Sequence, residues 1–544
     1  MPTFRRKGRV TLSDLPTELL LEVFQYLQDL DLYHLGCTCH DIQFVCFYNF
    51  LKRETILTPS SIPNDDKGEI LTVTGYASAE LRHPLTWPII HTSLWIQKYP
   101  RVFIYIAAGT DGALTDLVNM QKMVRRLEPR SVMMDFPRTL PWAWYFKSGN
   151  TWPVYKTHWV EETQRLLDIV IESGVREFTM LSGQELWKLC ERSTLPVGLK
   201  NRNDKPLRSS KFGRALTMRE KVAGLFGRSE NESFSQPSSP SVPFRMIRLQ
   251  HFKIQNSMLF QPEFYHWTSS ILSRESSTIT RLSLTYFGLP PWTWSRFFSS
   301  SLPALKEFEL IADPYQGDRN QIPKCASLLQ FFRNNQSIED LVLQGVENAE
   351  LHVLDSLISD PNQPILPILR KVLAHRYWVN LLVEPSKRLS SILPNLEIIG
   401  YVLDDSAEFK RVDSEFRSIS GAFSIRKLTL TLSLLSTQGI SEWLDKHSEN
   451  AEKACRITTS FTCVDTLVIA NHSRALRPSG RGELFPWLAL FPILSCVKFA
   501  PLQREDVRTL LEDEKIWKKL AREGPKLDCI ELGDMETVWL KKFR

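Results

Sequence analysis

The sequence predicts an α/β protein in two parts: a short N-terminal all-α unit, then an irregular solenoid of parallel strands with intervening helices. Two observations support this fold class. One apolar pattern recurs through the C-terminal half at intervals of 26 to 39 residues. A segment near the N-terminus also carries apolar residues on two sides of one predicted helix. With 544 residues, the chain is too long for a single compact core, which favours several units or a repeat array.

Composition indicates a folded protein whose thiols are reduced. Apolar residues make up 43% of the chain and charged residues 24%. The nine cysteines are scattered and include no C-x-x-C pair, which favours the cytoplasm and/or the nucleus over an oxidising compartment. The basic start MPTFRRKGRV precedes no apolar run, so we expect no signal peptide. The apolar stretch from Leu484 to Val497 is short and interrupted by prolines, so we expect no membrane segment.

Two apolar faces are predicted near the N-terminus, in the segment LSDLPTELLLEVFQYLQDLDLYHL. Pro16 suits the first position of a helix and Glu18 the third, and the helix can run to Tyr26 or Leu27. Helical spacing places Leu20, Val23, Phe24 and Leu27 on one face and Leu19, Val23 and Tyr26 on a second. A unit of this size cannot cover both faces itself, which indicates a partner surface.

This stretch resembles an F-box, and we assign residues 12–55 to an F-box helical domain. The matching residues are Leu15, Pro16, Glu18, Leu19, Leu20, Val23, Phe24, Tyr26, Leu27, Asp31, Leu32, Leu35, Cys39 and His40. The chain departs from the family pattern at Ile42, where Trp is frequent, and at His40, which replaces the usual Arg. The resemblance implies docking to a Skp-type adaptor and, through it, to a cullin-RING (SCF-type) ubiquitin ligase. The implied adaptor-binding residues are Leu15, Pro16, Glu18, Leu19, Leu20, Val23, Phe24, Leu27, Leu32, Leu35 and Cys39.

The next region, residues 70–199, is predicted to be either the start of the repeat domain or a connecting domain. Its stretch VREFTML, with Val175, Phe178 and Met180, fits the repeat pattern and favours the first. Tryptophans are frequent there and nearby, and we expect packing roles for most of them, with an aromatic ligand patch as the alternative. They are Trp87, Trp95, Trp142, Trp144, Trp152 and Trp159, and later Trp292 and Trp294.

Positive charge is concentrated in residues 200–243, a predicted disordered insertion. Lys200 to Arg228 holds nine basic and two acidic residues, and a Ser/Pro-rich stretch follows. A nuclear localisation signal and phosphorylation of Ser239 remain open alternatives. Because the rest of the chain is nearly neutral, we do not expect nucleic acid to be the partner; a basic segment that binds it is the weaker alternative.

Residues 244–544 carry a nine-residue pattern with apolar first, fourth and sixth positions. Strong copies begin at Leu249, Ile279, Leu305, Ile338, Ile425, Val464, Leu494 and Leu527, and weaker copies at Leu369 and Leu396. Each copy predicts one strand, and the amphipathic segments between copies predict helices. Stacked strand–helix units share a core that one unit cannot form alone. This arrangement resembles a leucine-rich repeat in degenerate form, because the spacing is long and no clear Asn or Cys ladder is present.

In such a repeat, the residues between the inward apolar positions lie on the concave face. There they would form a mixed-charge strip suited to an unknown protein substrate. The candidates are Arg281, Glu307, Glu309, Asp340, Lys371, His375, Lys427 and Lys498. For any single one of them, ordinary solvated sheet surface is the simpler interpretation.

We expect no catalytic site, no metal and no cofactor. The sequence contains no H-E-x-x-H, G-x-x-x-x-G-K-[ST], G-x-S-x-G or G-x-G-x-x-G motif. The residues His34, Cys37, Cys39, His40 and Cys46 crowd into one amphipathic helix, where core packing is favoured over zinc. The resulting prediction is a substrate-recognition subunit without its own enzymatic activity. The alternative is a repeat scaffold for protein–protein interaction that has no ligase attached.

Overall fold

The computed structural model of the chain contains a helical unit at the N-terminus, followed by strands and helices. The residues described are 15–54, 57–58, 70–74, 86–93, 100–106, 113–136, 152–182, 249–255, 257–286, 291–312, 323–346, 365–383, 395–403, 428–434, 463–470, 488, 491–500, 508, 511–512, 514–524, 526–533 and 536–544.

Three helices form the N-terminal unit: α1 (Thr17–Phe24), α2 (Asp29–Thr38) and α3 (His40–Arg53). Their core consists of fully buried apolar side chains, among them Phe24, Leu32, Phe47 and Phe50. Helices α2 and α3 pack closely against each other at Gly36. A Cβ atom on Gly36 would lie 2.4 Å from Cε1 of Phe47, so only glycine fits there without displacing that ring.

The strands form one 16-stranded sheet whose order follows the sequence. Only the outermost pairs of this sheet, β1–β2 and β15–β16, are antiparallel, and the other neighbours are parallel. The strands are β1 (Leu57–Thr58), β2 (Ile70–Thr74), β3 (Arg101–Tyr105), β4 (Ser131–Phe136), β5 (Glu177–Ser182), β6 (His251–Ile254), β7 (Arg281–Tyr286), β8 (Glu307–Ala312), β9 (Asp340–Gln344), β10 (Lys371–His375), β11 (Ile398–Leu403), β12 (Leu428–Leu434), β13 (Val464–Ala470), β14 (Cys496–Ala500), β15 (Cys529–Leu532) and β16 (Glu536–Trp539).

Helices pack against the apolar face of the sheet. They are α4 (Thr86–Thr92), α5 (Ala113–Leu127), α6 (Trp152–Glu172), α7 (Pro262–Arg274), α8 (Pro291–Phe298), α9 (Cys325–Asn334), α10 (Arg376–Val383) and α11 (Glu514–Glu523), with 3-10 turns at Ser257–Phe260 and Leu540–Lys542. For example, the ring of Phe308 on β8 lies 4.9 Å from that of Phe331 on α9. Within the described ranges, no helix has the length and apolar character needed to cross a bilayer.

The strand predictions from the repeat pattern are confirmed. In eight of the ten copies, the strand begins two residues after the first apolar position; the copies at Ile425 and Val464 are offset. Near that offset, the register between β12 and β13 shifts after Leu428. The fourth positions of neighbouring copies pair across the sheet and are buried, as in the row Phe252, Leu282, Phe308, Leu341 and Val372.

The sheet includes strands on both sides of residues 200–243, a segment that lies outside the described residues. β5 covers the predicted strand in VREFTML and pairs in parallel with β6, Glu177 opposite His251. The expected packing role is confirmed for Trp87, Trp159 and Trp294, which are buried. The indole of Trp87 donates to Asp116 at 3.0 Å. Trp95, Trp142 and Trp144, and the side chains of Trp152 and Trp292, lie outside the described structure.

Candidate functional site

Helix α1 has two apolar faces, and only one of them is covered. Leu20 and Phe24, four residues apart, are buried against the other helices. Leu19 and Val23 have the same spacing, yet 47% and 44% of their surface is exposed. Val23 was predicted to belong to both faces, and the structure places it on the exposed one. The described part of the chain therefore leaves one side of α1 open to solvent.

Further large apolar side chains of this unit are exposed as well. Tyr26, just after α1, is 84% exposed, Leu30 in the first turn of α2 is 53% exposed, and Phe44 on α3 is 47% exposed. The ring of Phe44 stacks on Tyr48 at 5.5 Å. We call Leu19, Val23, Tyr26, Leu30 and Phe44 the exposed apolar set. A soluble unit rarely exposes so many large apolar side chains unless they bind something.

The predicted adaptor-binding residues fall into three groups by exposure. Leu20, Phe24 and Leu32 are buried and hold the helices together, so they can influence a partner only through the fold. The exposed members are Pro16, Glu18, Leu19 and Val23, and the half-buried members are Leu15, Leu27, Leu35 and Cys39. Direct contact with an adaptor stays a prediction for the exposed and half-buried groups.

The ends of α1 differ from the sequence prediction. Pro16, expected at the first helical position, is the residue before it, with an extended ψ of 145°, and Thr17 begins the helix. The helix ends at Phe24 and not at Tyr26 or Leu27. After Phe24 the chain tightens into turns, in which Leu27 N–H donates to the carbonyl of Phe24 at 3.2 Å.

Arg53 explains why the chain turns at this point. From the last turn of α3, its guanidinium donates to the carbonyl of Leu27 at 2.9 Å and to that of Phe24, and it lies 3.4 Å from the carboxylate of Asp29. A cation at a helix C-terminus satisfies carbonyls that have no helical partner and favours the helix dipole. Arg53 thus sets the direction in which the chain leaves α1. No sequence pattern indicates this role, because a basic residue at the end of a helix is common.

The cysteine and histidine residues of the unit do not crowd into one helix as expected. His34 and Cys37 lie on α2, Cys39 lies between the helices, and Cys46 lies on α3. No three of the five predicted residues, all of them described, bring ligand atoms within 4.8 Å of one another. Burial is the main cause that raises the pKa of Cys46 to about 12, as expected for a thiol in an apolar core.

On the polar face of the sheet, side chains form ion pairs and hydrogen bonds with side chains of the neighbouring strand segment. Arg281 Nε lies 2.5 Å from Glu307 Oε2, and the hydroxyl of Ser283 donates to Glu309 at 2.5 Å. Other pairs join Asp340 to Arg370 at 2.8 Å and Lys498 to Glu531 at 2.8 Å, and Lys371 is half-buried. Arg281, Glu307, Glu309, Asp340 and Lys498 therefore each have a partner on the same face.

Two of the predicted substrate-face residues have a different outcome. His375 is only 4% exposed and does not lie on the open surface. The reason is that α10 begins at the next residue, which brings the ring of Tyr377 within 5.1 Å of the imidazole. Lys427 lies outside the described residues.

Comparison with protein families identifies the N-terminal unit. The F-box-like family model matches residues 12–57, under a tenth of the chain. This range agrees with the predicted 12–55 and contains all three helices and the exposed apolar set. No curated protein matches the chain. The helical unit at residues 12–57 is an F-box-like domain.

Proposed function

We propose that this protein is a substrate-recognition subunit of a cullin-RING (SCF-type) ubiquitin ligase, with its F-box-like domain docked on a Skp-type adaptor. The observation that carries the proposal is the exposed apolar set, which lies entirely within the matched domain. An apolar protein partner covers such side chains with a gain of roughly 25 cal/mol per Å² buried. Adaptor docking gives the open side of α1 a specific occupant.

The sheet supplies the second half of the proposed function. Strands that add one by one in sequence order, with helices on the apolar face, are the arrangement expected of a leucine-rich-repeat-like solenoid. We assign protein-substrate binding to the polar face, where Arg281, Glu307, Glu309 and Asp340 lie on neighbouring strands. On this proposal, other subunits in the cytoplasm or nucleus carry out the ubiquitin transfer.

Co-expression of the full chain with a Skp-type adaptor, followed by affinity capture and size-exclusion chromatography, tests the docking. The informative variant is Leu19→Asp/Val23→Asp, because both side chains are exposed and their loss does not disturb the helical core. We expect a one-to-one complex for the unchanged chain and none for this variant, since two carboxylates cannot be desolvated against an apolar partner surface.

The matched control is Val118→Asp, a similarly exposed valine on α5, outside the matched domain. It is expected to bind the adaptor like the unchanged chain. A folded chain that ignores the adaptor would contradict the proposal and favour the alternative, a repeat scaffold without a ligase. Equal loss in the control variant would show that the charge acts through solubility and not through docking.

A further inference from the structure

Two cysteines and a glutamate meet near the C-terminal end of the sheet. In the register between β14 and β15, Cys496 lies opposite Cys529 and Lys498 opposite Glu531. The two sulfur atoms and a carboxylate oxygen of Glu531 all lie within 4.8 Å of one another. The Sγ atom of Cys496 is 3.6 Å from Oε1 of Glu531. The sequence carries no signal of this cluster, because only strand register unites residues so far apart.

The alternation of side chains places this cluster opposite the apolar core. Val497 and Phe499 on β14 and Ile530 and Leu532 on β15 are buried on the helix-covered side. The intervening residues therefore point to the other face. Cys529 is buried and pairs with Trp539 on the neighbouring strand β16. Cys496 and Glu531 are half-buried, so the cluster is shielded on one side and open on the other.

The donor set suits a divalent zinc ion. Zinc binds thiolate sulfur and carboxylate oxygen in tetrahedral geometry, whereas calcium and magnesium prefer oxygen ligands alone. Two thiolates, one carboxylate and Zn²⁺ together carry one negative charge. Lys498 balances this charge, since its Nζ atom lies 2.8 Å from Oε2 of Glu531. The charge of the occupied cluster is thus neutralised by a group already in place.

The geometry of the cluster favours a metal site over a redox pair of cysteines. Three donor groups, and not only two sulfur atoms, lie within 4.8 Å of one another. A disulfide would join the two cysteines and leave Glu531 paired with Lys498 alone. A metal cation uses all three groups and compensates the cost of forming thiolates there.

We infer that Cys496, Cys529 and Glu531 bind one Zn²⁺ ion, with water in the fourth tetrahedral position. Binding displaces one proton from each thiol, so that Zn²⁺ and two thiols yield the zinc dithiolate and two protons. The ion would link β14 to β15 at the last parallel strand pair of the sheet. This site is independent of the F-box-like domain, so its failure would leave the proposed adaptor docking unaffected.

Metal titration of the full chain tests the inference. The reduced, chelator-treated protein is titrated with Co²⁺, whose thiolate charge-transfer absorption reports sulfur ligation, and then with Zn²⁺ against a chromophoric chelator. We expect one equivalent of metal and, in weakly buffered solution, the release of two protons per ion. The variants Cys496→Ser and Glu531→Gln should each lower zinc affinity by more than about 100-fold, beyond the loss caused by removing only a supporting hydrogen bond.

The matched control is Cys463→Ser, a buried cysteine next to β13 that is not in the cluster, and it should bind zinc normally. Circular dichroism verifies that each variant is folded. Glu531→Gln keeps the size and shape of the half-buried side chain, so we expect this variant to fold like the unchanged chain. Absence of metal binding by the reduced chain would overturn the inference. Binding that persists in both Cys496→Ser and Glu531→Gln, or a Cys496–Cys529 disulfide in a chain that takes up no metal when reduced, would also overturn it.

Discussion

The F-box-like domain and the sheet treat their solvent-facing surfaces in opposite ways. Among the described residues, ten large apolar side chains are exposed, and five of them belong to the N-terminal helical unit. On the sheet, by contrast, the outward positions of β7, β8 and β9 hold Arg281, Glu307, Glu309 and Asp340, which pair with neighbouring side chains. The first surface leaves large apolar side chains exposed to solvent, whereas the second pairs its charged side chains with one another.

On the proposed function, this difference corresponds to two modes of recognition. A partner of the helices gains affinity by covering apolar area, and a single protein can serve as a constant partner. A partner of the sheet must match a pattern of paired charges, which favours specificity and association rate over raw affinity. The contrast fits the proposed receptor, in which the F-box-like domain binds a shared subunit of the ligase and the polar face of the sheet binds the substrate.

The largest expected effect separates a buried phenylalanine from an exposed one. Phe308→Ala removes a ring that is 1% exposed and packs on Phe331, so we expect a loss of about 3–5 kcal/mol in the free energy of unfolding. Phe44→Ala, at a ring that is 47% exposed, should change stability by only about 0.5 kcal/mol. Chemical denaturation measures both.

Adaptor capture should show the reverse order for the same two variants. Folded Phe308→Ala protein is expected to bind the adaptor normally, while Phe44→Ala protein binds more weakly. If Phe308→Ala lost the adaptor while still folded, the two regions would be coupled and the contrast between them would fail.

A smaller effect is expected from Arg53→Met, which keeps an apolar stem but removes the guanidinium. The carbonyls of Phe24 and Leu27 lose their charged donor, at a cost of about 1.5–3 kcal/mol for a hydrogen bond to a charged group, with partial exposure favouring the lower end. We expect faster amide hydrogen exchange in α1 and unchanged exchange in β7 to β9.

Lys52→Met is the control for this change, since Lys52 is the exposed neighbour on the same helix. It should leave exchange in α1 as it is. Equal acceleration in both variants would attribute the effect to lost surface charge and not to the bonds that Arg53 makes.

Local periodicity made part of this structure predictable. In a strand buried on one face, apolar residues recur at every second position. Spacing alone therefore predicted that Leu282, Phe308 and Leu341 are buried. The two faces of α1 followed from helical spacing in the same way. What sequence could not reveal was contact between distant residues: Arg53 reaches back to α1 from another helix, and Cys496 meets Cys529 only through strand register. The burial of His375 could not be predicted either, because it depends on the helix that begins at the next residue.

The smallest expected effect concerns the ion pair between Arg281 and Glu307. Both side chains are about half exposed, so water and salt screen their attraction even at 2.5 Å. A double-mutant cycle with Arg281→Ala and Glu307→Ala should give a coupling energy of about 0.2–1 kcal/mol at low salt, and less at high salt. Substrate capture, in contrast, should be sensitive to either change, because a pair that adds little stability leaves both groups available to a partner. A coupling energy well above this range that salt does not reduce would mean that the pair stabilises the fold. The two side chains would then not be available to a substrate, which would contradict the assignment of substrate binding to the polar face.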